Sequence, residues 1–420
     1  MEVKKTNENN ILLKRLLLSL GILIFIRMGT FLPVPGIDHG HLAFYIERHS
    51  VTKTLVSTFA GNDTFVIGIF TLNIFPYINA SILIQLLISL VPNLGKLQKE
   101  GGSEGKRTIN RLTRFITLGW ALIQSISIAF YLKRALFDWN LVLAIEIVIW
   151  LTTGAMIVLW LSELITEYGL GNGASLLIYT NIVSSLPNLS KKLLSENTEN
   201  LNFGSWLIIV LLFFIAIFGI VVLQESARII PLISSKQLSA LGSVSSDSQK
   251  SNYIPLRFNQ AGVMPIILTT AVLVIPNYIS GLGIVPIITL PFVIKSSKII
   301  YWISYFLLIL IFSSFYSTIV LNPKDISDQL QKMAVTIPGI RPGVATRFYL
   351  QQIMKRVTFL GAIMLAVLAT LPNIIEGILH VSSFNGLGTT SLLILVGVIL
   401  DLSREIRSIL LSNIYNDMFD

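Results

Sequence analysis

Few residues of this 420-residue chain could carry out covalent chemistry. There is no cysteine, which removes thiol catalysis, disulfides and Cys-based metal sites. His39, His41, His49 and His380 fall in segments read below as external loops, where solvated side chains are expected rather than a metal site. Gly105-Lys106 invites comparison with a phosphate-binding P-loop. That motif needs glycine five residues before the Gly-Lys pair and Ser or Thr after it, but Glu100 and Arg107 stand there. No His-Glu-x-x-His or Gly-x-Ser-x-Gly occurs. No catalytic residue, metal or cofactor is therefore expected. What remains is polarity inside apolar runs. Arg27, Glu146, Glu163 and Glu225 are the charged members, Arg27 the most deeply placed. Asn73, Asn79, Ser81, Gln85, Gln124, Ser125, Asn259 and Gln260 are the uncharged ones. Buried charges mark ion-coupled transport, because a charge at mid-bilayer is costly and is kept for a task. Uncharged amides and hydroxyls join helices by hydrogen bonds, either as permanent glue or as a seam that opens reversibly.

The elements that position these residues are membrane spans. The chain is 53% hydrophobic and 13% charged, too few charges for a soluble domain. Apolar runs close to the ~20 residues that cross ~30 Å of hydrocarbon recur throughout. Hydropathy predicts ten: 15–32, 71–91, 112–132, 141–162, 173–190, 205–224, 261–280, 299–320, 357–375 and 388–404. Lys14-Arg15 before Leu16–Ile26 resembles a signal peptide. No small-x-small cleavage site follows, so it reads as a retained first span. The polar, basic tract Gly95–Arg114 reads as a cytoplasmic-type loop. With it, 22 of the 31 Lys and Arg residues fall on one side, which places both termini there.

Five spans precede the polar stretch Ser190–Asn202 and five follow, giving halves 1–190 and 191–420. An odd number per half implies that the halves are inverted if they are related. Phe65–Phe70 is apolar but too short to span, so a re-entrant segment and an ordinary external loop are both open. Loops 225–258 and 321–350 are polar, basic and able to project as a docking surface.

Six stretches, in one order, resemble the SecY/Sec61 family. They are Phe31–Asp38, Phe75–Ser81, Ile165–Gly173, Asn259–Pro265, Phe315–Gly343 (with Asn322-Pro323 and Pro338-Gly339-Ile340-Arg341-Pro342-Gly343) and Gly388–Ile394. The resemblance implies an all-α membrane protein: ten transmembrane helices in two inverted, pseudo-symmetric halves around a central pore with a lateral gate. Its constriction ring would be Ile74, Ile78, Ala174, Ile178, Ile267 and Ile394, with Ala174 smaller than the aliphatic residue expected. A plug would lie at 58–69. The gate would set spans two and three against seven and eight, with Asn79, Gln85, Gln124 and Asn259 as its polar residues. Arg341, Lys106 and Arg107 would dock a motor or ribosome.

The implied function is a channel that passes unfolded chains and releases apolar segments into the lipid bilayer. The alternative is an ion-coupled transporter of a small solute. Implied partners are a single-span SecE-like subunit, a SecG-like subunit, the SecA motor ATPase, a translating ribosome and preprotein substrates. Two features depart from the family. Ser234–Asn252 is Ser-rich with only Lys236 and Lys250, and the chain ends acidic at Asp420. Short termini and richness in Ile and Asn point to a plastid-encoded member in the thylakoid membrane with stromal termini. A bacterial inner-membrane protein is the other reading.

Overall fold

The computed structural model describes residues 2–37, 67–100, 102–132, 140–196, 203–234, 252–260, 262, 264–266, 268–269, 298–320, 322–379 and 389–419. Most of these are helical, because a backbone in lipid must satisfy its own N–H and C=O groups. The helices are α1 (Glu2–Thr30), α2 (Phe75–Leu90), α3 (Pro92–Glu100), α4 (Gly102–Leu132), α5 (Leu141–Tyr168), α6 (Gly173–Glu196) and α7 (Phe203–Glu225). They continue with α8 (Lys298–Val320), α9 (Pro323–Lys332), α10 (Val344–Leu379) and α11 (Thr389–Phe419). Among the described residues, Gly102–Phe130, Leu141–Tyr168 and Val344–Leu371 are long and apolar enough to cross a membrane. Phe115, Phe130, Phe214 and Phe218 are exposed. Lipid accepts such a surface; water does not.

Two compact units result, Met1–Ser195 with Val398–Asp420, and Glu196–Gly397. In the first, α4 packs on α2 and α5, and α1 packs on α5. Its core joins Val34, Ile67, Leu72, Ala121, Ile147 and Leu151. Residues 67–73 are irregular yet buried. Val34 N–H donates to the Ile67 carbonyl (3.0 Å) and Ile69 N–H to the Leu32 carbonyl (3.0 Å), so the segment pairs with the chain leaving α1. It lies directly on α5 at Gly154, where an added Cβ would fall 2.0 Å from the Ile69 carbonyl oxygen. Gly154→Val is therefore expected to lower stability by about 1–3 kcal/mol or more. Thermal unfolding of the purified protein in detergent checks this, and an unchanged Tm would mean the two backbones are not so close.

In the second unit α10 packs on α7, α8 and α9. Here the all-α expectation is corrected. Loop 225–258 contains β1 (Ala227–Ser234) and β2 (Asn252–Arg257), and loop 321–350 contains β3 (Val335–Thr336). They form an antiparallel sheet of order β2-β1-β3, registered by Arg228↔Leu256, Ile230↔Ile254 and Ile233↔Thr336. Alternation explains it: Ile230 and Leu232 are buried while Ile229 and Pro231 face out. Their inner faces meet Leu256, Leu330, Ile337, Leu350 and Met354 in one apolar cluster.

The basic tract is likewise not an open loop. Lys, Gln, Leu, Glu and Arg favour helix. The tract accordingly folds as α3 and the first turns of α4, broken by Gly102 in the left-handed region at φ +53°.

Candidate functional site

The expected ring positions of the first unit lie on two helices. Ile74 and Ile78, at the start of α2, are buried, at 1% and 7% exposure. Ala174 and Ile178, in the first turns of α6, are half-buried. A hydrogen bond fastens these helices: Asn73 Nδ2 donates to Asn181 Oδ1 (3.0 Å). Asn73 is held in the left-handed region (φ +47°), which asparagine tolerates, and its Oδ1 accepts from Ile74 N–H (2.8 Å). Asn181 lies three residues after Ile178, on the same helical face. The clamp therefore sits beside the expected ring residues of both helices.

The start of α6 is built by the run Ile165–Gly173. Thr166 Oγ1 accepts from Gly173 N–H (2.9 Å), and Asn172 Oδ1 accepts from Ala174 N–H (3.0 Å). Ser19 of α1 accepts from Leu170 N–H (2.9 Å). Interhelical side-chain bonds in membranes are worth about 0.6–1.7 kcal/mol. Asn181→Leu is expected to lose that amount, and Asn73→Ala more, because alanine must also adopt a left-handed backbone. A double-mutant cycle read by thermal unfolding checks the coupling, and additive effects would deny a direct bond.

In the second unit Ile394 is half-buried on α11. Ile267 lies outside the described residues, as do most of the expected plug, 58–66, and all four histidines. Of that plug only residues 67–69 are described, and they form part of the buried segment before α2.

The four gate amides behave differently from one another. Asn79 and Gln85 are half-buried on α2. Gln124 Oε1 and Asn259 Nδ2 are buried with no hydrogen-bond partner among the described residues. Polar links form elsewhere: Ser125 with Thr152 (3.1 Å) between α4 and α5, and Ser317 with both Thr358 (2.6 Å) and Gln260 Oε1 (3.1 Å).

The charged candidates resolve into local roles. Glu163 accepts both arms of the Arg114 fork, Nε–Oε1 at 2.9 Å and Nη2–Oε2 at 2.8 Å, tying α4 to α5. Glu146 is exposed in the second turn of α5. Arg27 stacks over the Phe31 ring at 5.1 Å, and its Nη1 is buried without a partner among the described residues.

Lys106 and Arg107 are exposed on the second turn of α4. Arg341 is exposed between two turns. Ile340 N–H donates to the Ile337 carbonyl (3.1 Å) across Pro338-Gly339, with Gly339 at φ +77°. Thr346 Oγ1 then donates to the Arg341 carbonyl (2.9 Å) and Ser327 Oγ to the Gly343 carbonyl (2.9 Å). The Arg341 guanidinium forms no ion pair among the described residues. Sequence reasoning missed Asn181, Thr152, Ser317 and Thr358. Their signal is the one used for Asn79 and Gln124, a polar side chain inside an apolar helix.

No group of three or more His, Asp and Glu among the described residues could hold a metal ion. A family model described as SecY matches residues 68–403. The protein translocase subunit SecY of Trieres chinensis is 71% identical over the whole of both chains. That of Guillardia theta is 44% identical over 96% of this chain and 95% of its own. That of Synechococcus elongatus is 41% identical over 96% and 93%. A solved protein-conducting channel superposes with a TM-score of 0.65 at 17% identity, over 96% of this chain and 93% of its own. Sec61 in a canine ribosome–channel complex gives 0.61 at 17%, over the same shares. At that identity the structures speak to the fold alone.

Proposed function

The chain belongs to the SecY family, a multi-pass membrane family, and on that premise we propose how it does the work of the Sec translocase channel subunit. Ten spans in two inverted halves surround a pore closed by Ile74, Ile78, Ala174, Ile178, Ile267 and Ile394. The lateral gate lies between spans two and three and spans seven and eight. The single observation that carries this reading is the Asn73–Asn181 bond, which ties the two helices bearing the first four ring residues.

The physics of such a ring is simple. Aliphatic side chains exclude water from a narrow gap, so ions find no hydration there, yet they move aside for an extended peptide. Ile74 and Ile78 are already dry. The gate amides suit a seam that opens. Gln124 and Asn259 each bring a buried polar atom that has no partner among the described residues, and such an atom is satisfied once a polar chain or water reaches it.

The chain needs no catalytic group for this, because a motor such as SecA or a translating ribosome supplies the work. A SecE-like and a SecG-like subunit complete the channel. Relatives from algae and a cyanobacterium fit a plastid member in the thylakoid membrane, with both termini stromal. The bidentate Arg114–Glu163 pair speaks against the ion-coupled alternative, since that acid holds two helices together rather than standing free to carry a proton.

The test is crosslinking of an arrested translocating chain to a photoreactive probe at Ile78, and separately at Ile267. Crosslinks from both positions are expected. A chain that reaches neither probe, or a monodisperse chain that drives solute uptake into liposomes without a small partner, overturns the proposal.

A further inference from the structure

Where α8 passes through α9 into α10, the second unit holds a groove of about 690 Å³. One end is polar and cationic, lined by Asn322, Arg347, Gln351, Lys355 and Arg356. The other is apolar, lined by Leu310, Phe359 and Ala362. Between them Ser317 and Thr358 are hydrogen-bonded to each other, so neither hydroxyl is left unpaired on the floor.

Two features identify an occupant. No carboxylate lines the groove, and none of its three cations has an ion pair among the described residues. Arg347, Lys355 and Arg356 are exposed, and three like charges gathered without a counter-ion raise a positive potential that attracts an anion. The second feature is the gradient of polarity. From Ser317 to Leu310 the wall of α8 runs seven residues, about 10 Å, a third of the ~30 Å hydrocarbon thickness. Phe359 stays largely exposed beside it. A free phosphate would use the charged end and leave the apolar end empty; an acidic peptide would want cations along its whole length.

We propose that this groove binds an anionic glycerolipid, with the phosphate or sulfonate headgroup on Arg347, Lys355 and Arg356 and an acyl chain along Leu310, Phe359 and Ala362. Basic pockets between membrane helices recognise anionic headgroups by this chemistry. The proposal rests on the chain lying in a membrane and not on the ring or the docking residues. It gives the lipid a structural task, because the anion neutralises charges at the joint between α8, α9 and α10 that carries the sheet.

The experiment uses the assembled translocase reconstituted in phosphatidylcholine vesicles doped with phosphatidylglycerol, then extracted and weighed by native mass spectrometry. The wild type is expected to retain phosphatidylglycerol in preference to phosphatidylcholine. Arg347→Gln, Lys355→Gln and Arg356→Gln are each expected to reduce retention about fivefold. Leu310→Trp, which fills the apolar end and leaves every charge in place, is also expected to reduce it. If that variant does not assemble, Ala362→Leu fills the same end from α10.

Equal retention of the two lipids overturns the proposal. So does displacement of phosphatidylglycerol by inorganic phosphate together with indifference to the apolar-end variants, which would make the site one for a free anion. A photoreactive probe at Lys355 that labels a protein subunit instead of lipid overturns it as well.

Discussion

Arg341→Glu is expected to abolish motor-driven transport while leaving membrane insertion and partner assembly intact. Arg341 sits at a tip that its own sequence stiffens. Pro338 and Pro342 fix φ, Gly339 and Gly343 take positive φ, and hydroxyls of Ser327 and Thr346 hold the carbonyls of Gly343 and Arg341. Little entropy remains to be lost when a partner docks. The guanidinium is exposed and has no ion pair among the described residues. A planar fork held this way matches a carboxylate of a motor or a phosphate of a ribosome. Reversing the charge replaces attraction with repulsion, and a roughly hundredfold or greater loss of affinity is expected. Arg341→Lys, which keeps charge but loses the fork, should fall between. Transport into vesicles, with motor affinity measured beside it, checks the prediction. Normal transport by the Glu variant, or failure of both variants to assemble, would remove Arg341 from the docking role.

The long apolar helices Gly102–Phe130, Leu141–Tyr168 and Val344–Leu371 were legible because hydropathy measures contact with lipid, and the same quantity marks where it fails. The predicted span at 357–375 lies inside α10, which begins at Val344 and ends at Leu379. Of the span at 388–404, residues 389–404 open α11, which runs to Phe419. Helices do not stop at the membrane surface when Arg, Lys, Gln and Ile continue to favour them. The sheet escaped notice for the opposite reason. Its strands are six and eight residues long and carry Pro231 and Pro255, which weaken any strand signal. Neither strand buries much alone. Their stability comes from Leu330, Ile337, Leu350 and Met354, more than seventy residues further on, and a local reading cannot weigh that.

The site was legible in its residue types more than in its pairings. Asn79, Gln124 and Asn259 stand out because polar side chains in apolar helices need a reason. Which of them is bonded depends on register between helices distant in sequence. The bond that forms, Asn73 to Asn181, spans 108 residues. It also requires a left-handed Asn73 that no periodicity announces. Arg114 and Glu163 were legible separately, one as part of a basic tract and one as an acid near a span end. Their pairing depends on how α4 lies along α5.

Ile78→Asn is expected to make the closed channel leak ions and to admit preproteins whose signal sequences are too weak for the wild type. Ile78 is 7% exposed, one turn along α2 from Ile74 at 1%. Isoleucine and asparagine differ modestly in size, so the main change is polarity. A buried amide with incomplete hydrogen bonding costs about 1–3 kcal/mol and is satisfied by drawing in water. In a constriction that water is the leak, since an aliphatic seal works by staying dry. The same substitution also lowers stability, so a control must separate the two effects. Ile147→Asn supplies it. Ile147 is wholly buried in the core joining α4 and α5, a cluster that contains none of the ring residues, and should lose stability without leaking. Ion flux across liposomes holding the assembled channel, measured beside thermal unfolding, distinguishes the outcomes. Leak from Ile78→Asn alone supports the seal. Equal leak from both variants, or leak from neither, would mean that Ile78 is ordinary core and that the constriction lies elsewhere along the chain.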